Sequence, residues 1–310
     1  MTTGRFLVVS AIVVLSAMPS AAALPAQFRT TSDLVVLNVR VTDDDGAHVP
    51  HLTAQQFTVF DNGRPQPVSV FASENAPVTV GLIVDSSVSM WAIKARLIAG
   101  ARSFAAASHP ENELFAFAFN DWPTSALPAE SPFTSDPDRL ADALTEVVQP
   151  RGRTALFDAI AAGLEYAARG RHPRQVLVVM SDGGDNASTA TFDQVAARTQ
   201  TSNVVIYGVA LVDPLTPGAR PEVLRRLARA TGGEVFAPKT IGDVREALGH
   251  IAEDIKQAYM LGYVPSGTAP GQTHALRVVV SSRVDRDLRV RTRENYRESP
   301  EPSDAPQSNP

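Results

Sequence analysis

Cysteine is absent from the 310 residues, which excludes disulfide stapling and a lipid-modified cysteine as an anchor. A large charge excess is also missing: 28 basic against 33 acidic residues leave −5, with no footprint of a nucleic-acid binder. Beyond the amino end no apolar run is long enough to span a bilayer, so no integral membrane segment is expected after that end is removed. There is no G-x-S-x-G elbow and no phosphate-binding glycine loop. Stability must come from an ordinary core, which 44% hydrophobic composition can supply for one α/β domain and a smaller unit.

The two ends stand outside the fold. Residues 1–5 carry one positive charge, residues 6–18 are mostly apolar, and Ser20, Ala21, Ala22 and Ala23 offer small residues for cleavage. Residues 1–23 are therefore expected to be a signal peptide, and the protein to be exported to a periplasmic, secreted or cell-surface location. The last stretch, 298–310 (ESPEPSDAPQSNP), has too little apolar surface to fold and is expected to be disordered.

Between residues 77 and 257, strand and helix patterns alternate, predicting a doubly wound, mostly parallel sheet of six strands, an α/β fold of the Rossmann-like kind. Strands are expected at 78–84, 114–119, near 125–127, at 176–180, 204–211 and 234–237. Helices are expected over 92–107, around Leu140 to Val148, from Thr154 to about Gly170, from Pro221 to Gly232, and over 241–257. The flanks read as β structure. Residues 28–75 hold an alternating strand at 35–42, an acidic turn at Asp43, Asp44 and Asp45, and a hairpin signal at Asn62-Gly63. Residues 258–297 hold three further strand candidates at 258–264, 274–281 and 288–296. Two hairpins cannot bury much alone, so both flanks are expected to pair into one small all-β sandwich with the α/β domain inserted between them. Arg289, Arg291 and Arg293 alternate on the last candidate and read as a solvated outer face.

The chemistry concentrates where the first α/β strand ends. Residues 78–90 read VTVGLIVDSSVSM: an apolar run, then Asp85, Ser87 and Ser89 at every second position. If the chain stays extended there, their oxygens point to one side. Mg²⁺ prefers such hard oxygens and is held by one or two protein carboxylates. Thr154 opens a helical pattern, and Asp182 follows the buried run 176–180. Singly, each also fits a plain role: Asp85 a strand-end turn, Thr154 a helix N-cap, Asp182 a turn before Gly183. In a sheet of order 3-2-1-4-5-6 the first and fourth strands are neighbours, and ligands bind in the crevice beyond their carboxyl ends.

DSSVS, RGRTALFDA and VVMSDGGDN, in that order, resemble the metal-ion-dependent adhesion site of von Willebrand factor type A (VWA) domains. The resemblance covers residues 77–257 and maps that motif onto Asp85, Ser87, Ser89, Thr154 and Asp182; one departure is Val88, where many members have glycine. It implies Mg²⁺, or Mn²⁺ or Ca²⁺, with an open position that accepts an Asp or Glu from a protein partner, as in cell adhesion. LxAxxFxVxDxGxPQ before the domain and YxLGYxP after it also resemble a bacterial secreted VWFA-related family. Two other classes compete: a metal-dependent hydrolase and a metal-free structural scaffold. A hydrolase needs a general base near the metal, but none of His48, His51, His109, His172, His250 and His274 lies in a metal loop, while Asp121 and Asp185 read as loop residues.

Overall fold

A computed structural model of the chain describes residues 34–212, 218–240, 243–265, 271–281 and 287–298. The expected signal peptide 1–23 and the tail from residue 299 lie outside the described residues.

The amino-terminal flank is β structure. Strand β1 (Val35–Thr42) buries Val35, Leu37, Val39 and Val41 while Asn38, Arg40 and Thr42 stay half-exposed, as its alternation predicts, except at Val36, which is buried too. A single 3₁₀ turn follows over Ala54–Gln56, where the Gln56 side chain reaches back to accept from the Thr53 N–H at 2.9 Å. β2 (Phe57–Asp61) and β3 (Arg64–Gln66) form a hairpin. Its turn places both Asn62 and Gly63 at positive φ, 48° and 77°, the twist a two-residue hairpin needs. β4 (Val70–Ala72) then joins a different sheet.

The α/β body opens with β5 (Thr79–Asp85), buried at every position. Next come a 3₁₀ turn at Val88–Ile93, α1 (Lys94–Ala107), β6 (Glu113–Phe119), the short β7 (Pro123–Ser125) and α2 (Pro137–Val147). They are followed by α3 (Leu156–Ala167), β8 (Gln175–Ser181), α4 (Phe192–Thr201), β9 (Val204–Ala210), α5 (Pro221–Thr231), β10 (Val235–Phe236) and α6 (Asp243–Lys256). The strand order is β10-β9-β8-β5-β6-β7, parallel except for β7, which runs against β6. This is the 3-2-1-4-5-6 order expected from the alternation.

Helices cover both faces. On one, Leu97 and Phe104 of α1, Leu140 of α2 and Leu248 of α6 pack against Val80, Leu82 and Val84 of β5. On the other, Ile160 of α3, Val195 of α4 and Leu224 of α5 pack against Ile83, Phe115 and Val179. Each such fully buried side chain stabilises the fold by roughly 1.5–3 kcal/mol. Helix ends follow their sequence signals: Pro221 opens α5, and Gly232 closes it in the left-handed region at φ 84°.

The carboxyl flank adds β11 (Tyr259–Tyr263), β12 (Thr273–Val280), β13 (Arg289–Arg291) and β14 (Asn295–Arg297). Two four-stranded sheets result, β13-β1-β11-β4 and β14-β12-β2-β3, each mixing strands from both flanks. They enclose a shared core of Leu37, Val39, Val59, Tyr259, Leu261, Leu276 and Tyr296. The junctions with the α/β body lie side by side, for the Asn75 N–H donates to the Lys256 carbonyl at 2.6 Å.

Three local expectations are corrected. The strand expected over 288–296 is two strands in different sheets, because the chain crosses between sheets at Thr292 and Glu294. Its arginines do not share a solvated face: Arg289 is exposed, but Arg291 binds Asp254 and Glu234, and Arg293 is buried. Arg293 donates to the Ser202 and Thr199 carbonyls at 2.6 and 2.8 Å, satisfying acceptors at the C-terminus of α4. α4 itself was not among the expected helices. The strand expected to return from the Asn62-Gly63 turn, over 65–71, likewise divides, β3 staying with β2 while β4 pairs with β11.

Candidate metal centre

The loops that follow β5, β6 and β8 meet at the carboxyl edge of the sheet, and the segment before α3 is stitched to all three. Arg151 N–H donates to Ser86 O at 3.0 Å, Ala155 N–H to Asn120 O at 2.7 Å, and Thr154 O accepts from the Asn186 and Ala187 N–H groups at 2.9 and 3.1 Å. Gly152 in this segment has φ 68°, and a Cβ there would fall 2.0 Å from Asp121 Oδ2. Only glycine fits that close approach at that φ. Asp121 uses the space to pair with Arg153, Nε to Oδ1 at 2.9 Å.

Asp85 ends β5 and is fully buried. Its Oδ1 accepts from the Ser87 N–H at 2.9 Å, and its Oδ2 from the Ser181 hydroxyl at 2.8 Å. The chain does not stay extended as far as Ser89; it turns into the 3₁₀ segment at Val88. That turn brings the Ser87 and Ser89 hydroxyls to 3.0 Å from each other, so proximity arises by curvature rather than by alternation. Val84 pairs with Met180 across the parallel ladder, which sets Asp182 one step past the end of β8, next to the end of β5. Asp182 Oδ1 accepts from the Gly184 N–H at 2.8 Å. The Thr154 hydroxyl has no hydrogen-bond partner among the described residues, and only its backbone connects it to the neighbouring loops.

Electrostatics single out Asp85. Burial pushes its carboxyl up to about 6, the hydrogen bonds from Ser87 and Ser181 oppose the rise, and the charge of Asp182 adds to it. No cationic side chain pairs with Asp85 among the described residues. Two nearby acids and three hydroxyls, with no internal cation, form a donor set suited to a hard divalent ion. Among the described residues no group of three or more His, Cys, Asp or Glu side chains gathers as a ligand cluster.

The remaining acids near the site serve the scaffold. Asp185 Oδ2 accepts from the Phe157 N–H at 3.0 Å and the Ser188 hydroxyl at 2.5 Å, capping the first turn of α3. Asp158 accepts from the Thr189 and Ala190 N–H groups at 2.9 and 2.8 Å, which holds the loop after β8 to that helix. Neither these struts nor the tie from Ser181 to Asp85 was expected from sequence. Asp121 and Asp185 are the loop residues that the sequence predicts. His172 contacts the Glu111 carbonyl at 3.0 Å, at the amino edge of the sheet and away from the site.

Sheet topology and the clustering of these loops at its switch point define an α/β fold of the Rossmann-like class. The family pattern for the von Willebrand factor type A domain matches residues 80–250, more than half of the chain, and the chain belongs to that family. Among curated proteins, none matches the chain. Several solved structures are similar. The proximal thread matrix protein 1 of the mussel byssus is 12% identical with a TM-score of 0.47, the match covering 59% of this chain and 49% of that one. This chain thus spans about half of that protein's length. A von Willebrand factor type A protein from Catenulispora acidiphila is 12% identical over 88% of this chain and 75% of that one, with a TM-score of 0.46. Manganese-loaded TRAP protein of Plasmodium vivax is 15% identical over 79% of this chain and all (100%) of that one, with a TM-score of 0.44.

Proposed function

We propose that this chain is an exported, non-enzymatic VWA module that binds a protein partner through a divalent cation, Mg²⁺ or in its place Mn²⁺ or Ca²⁺. Asp85, Ser87, Ser89, Thr154 and Asp182 would hold the ion. When bound, it supplies an open coordination position for a partner Asp or Glu carboxylate. The observation that carries this reading is Asp85: a fully buried carboxyl, raised to about 6 by desolvation, with no cation beside it among the described residues. Ser181 and the Ser87 N–H fix its two oxygens in place, so the site keeps its carboxylate oriented before any ligand arrives. The unpartnered Thr154 hydroxyl and the half-exposed Asp182 support the same assignment from the neighbouring loops.

Export rests on the sequence of residues 1–23, and no helix among the described residues is long and apolar enough to cross a membrane. The non-enzymatic reading is supported by the use already made of the nearby acids. Asp121 is held below its ordinary range by the Arg153 guanidinium, and Asp185 is engaged at α3, which leaves neither as a free general base.

Calorimetric titration of Mg²⁺ and Mn²⁺ into the wild type should show one binding event that Asp85→Ala lacks. Capture from the native envelope should then return a partner with wild type in Mg²⁺, and not with Asp85→Ala or in EDTA. Partner capture that survives chelation overturns the metal reading. A wild type silent in calorimetry makes the domain a metal-free scaffold.

A further inference from the structure

The chain has two tryptophans, and both stand exposed on the loops around the candidate metal centre, Trp91 at 74% and Trp122 at 61%. Trp91 lies two residues past Ser89 in the 3₁₀ turn, and Trp122 follows β6 beside the Asp121–Arg153 pair. Val88, between the metal-loop serines, is 61% exposed. Exposed large apolar side chains clustered on one rim mark an interaction surface. Between Trp91 and the segment before α3 lies an open pocket of about 310 Å³ walled by Trp91, Lys94, Gln149, Pro150 and Arg151. The Arg151 backbone is the same one that donates to Ser86 O, so the pocket opens directly beside the Asp85 loop.

Its chemistry is mixed in a specific way. The indole ring and Pro150 give apolar faces, and Lys94 and Arg151 give two cations with no acid among the lining residues. Neither cation is in an ion pair among the described residues; the Lys94 ammonium makes one long contact, 3.4 Å, to the Thr145 carbonyl. A sugar would require polar side chains to match its hydroxyls, and Gln149 alone offers an uncharged one.

We propose that this pocket is the specificity subsite of the metal centre, taking an apolar side chain of a partner peptide together with a second acid close to the acid that meets the ion. The proposal rests on the metal reading above and adds the identity of the partner: a protein loop carrying two acids and an aromatic or aliphatic residue. Lys94 and Arg151 receive the second carboxylate, and Trp91 covers the apolar side chain.

Three families of dye-labelled Gly/Ser peptides test it on the full chain: one Asp alone, Asp with Phe, and Asp with Phe and a second Asp, the Phe of the last two placed one to four residues from the first Asp. Fluorescence anisotropy in Mn²⁺ should rank the third above the first by at least ten-fold at one spacing. Trp91→Ala should erase the gain of the second family over the first, and separately the pair Lys94→Gln with Arg151→Gln should return the third to the level of the second, while calorimetric Mn²⁺ affinity stays at the wild-type value. Equal binding of all three families overturns the proposal, as does a ranking that these variants leave intact. If no Mn²⁺ binds, the metal reading fails by itself. The same ranking in EDTA then decides the pocket, persistence of the Trp91-dependent order upholding it and loss of order overturning it. Trigalacturonate binding through Trp91 in preference to every peptide would replace the protein partner with an acidic polysaccharide and overturn the assignment.

Discussion

The Arg174 guanidinium donates to the Ile255 carbonyl at 2.6 Å, tying the entry to β8 to the last turn of the helix that leads into β11. Arg174 also donates to Asn38 Oδ1 at 3.0 Å and to Ala76 O at 3.3 Å. One buried cation therefore fastens the sandwich, the inter-domain connection and the α/β body. No carboxylate pairs with it among the described residues, and burial pulls it down to about 10.

Arg174→Ala should destabilise the chain by about 3 kcal/mol, because the buried Ile255 carbonyl and the partly buried Ala76 carbonyl lose their donor. Arg174→Met, which keeps most of the volume, should cost less. Urea denaturation of the two variants against wild type measures both.

Asp85 gives a pH signature. Its folded-state value of about 6 lies above its ordinary value of 3.8, so the folded chain binds the extra proton between those limits. The metal-free protein therefore loses stability as pH rises through that window, by about 3 kcal/mol at most, and stays lower above it. Asp85→Asn removes this loss: in EDTA at pH 7.5 the variant should be more stable than wild type by about 2–3 kcal/mol, and the two should converge near pH 4. A wild type that equals or exceeds the variant at pH 7.5 in EDTA contradicts the assignment.

Gly152→Ala should separate the site from the fold. The new methyl meets Asp121 at an unfavourable φ, so the segment bearing Thr154 must shift. Metal affinity is expected to fall at least ten-fold, while the thermal midpoint moves by only a few degrees, the segment being largely exposed. Calorimetry and a thermal scan on the same sample give both numbers.

Asp61 offers the opposite separation. Its Oδ1 lies 2.7 Å from His274 Nδ1, and its Oδ2 accepts the hydroxyls of Tyr263 at 2.9 Å and Tyr296 at 3.3 Å, all in the sandwich core. Burial and this carboxylate hold both tyrosines above their ordinary range. Asp61→Asn replaces an acceptor with a donor facing donors, and should destabilise the chain by about 2–4 kcal/mol. Mg²⁺ affinity should be unchanged.

The tryptophans supply an intrinsic probe. Both face solvent on the rim of the site, so Mn²⁺ should quench the emission of wild type and not that of Asp85→Ala. Trp91→Phe and Trp122→Phe report which loop senses the ion.

What could be read in sequence divides along physical lines. β5, β6, β8 and β9 are buried on both faces, so each is a nearly continuous apolar run bounded by turn residues. Asp85, Ser87, Ser89 and Asp182 were legible because acids and hydroxyls break two of those runs abruptly at their carboxyl ends, and Thr154 because it stands where a helical pattern opens. α4 was not: only Val195 and Thr199 of it are buried, so its apolar stripe is nearly absent, and its one clear mark is the capping pair Thr191 and Gln194. Arg293 looked like its neighbours Arg289 and Arg291 because alternation alone cannot tell that carbonyls some 90 residues away require a donor. The role of Ser181 is hidden in sequence for a related reason, since its tie to Asp85 depends on the pairing of β5 with β8.

The bond from Asn75 to Lys256 closes the neck of the α/β body, and just past it the chain continues into β4 and β11, adjacent antiparallel strands. Both strands meet the neck at the same end, Ala72 opposite Met260. A tug on anything bound at the far rim of the sheet would load these two strands along their length and in one direction. β11, the one of the two that pairs with β1, would then have to slide along it as a unit instead of unzipping rung by rung.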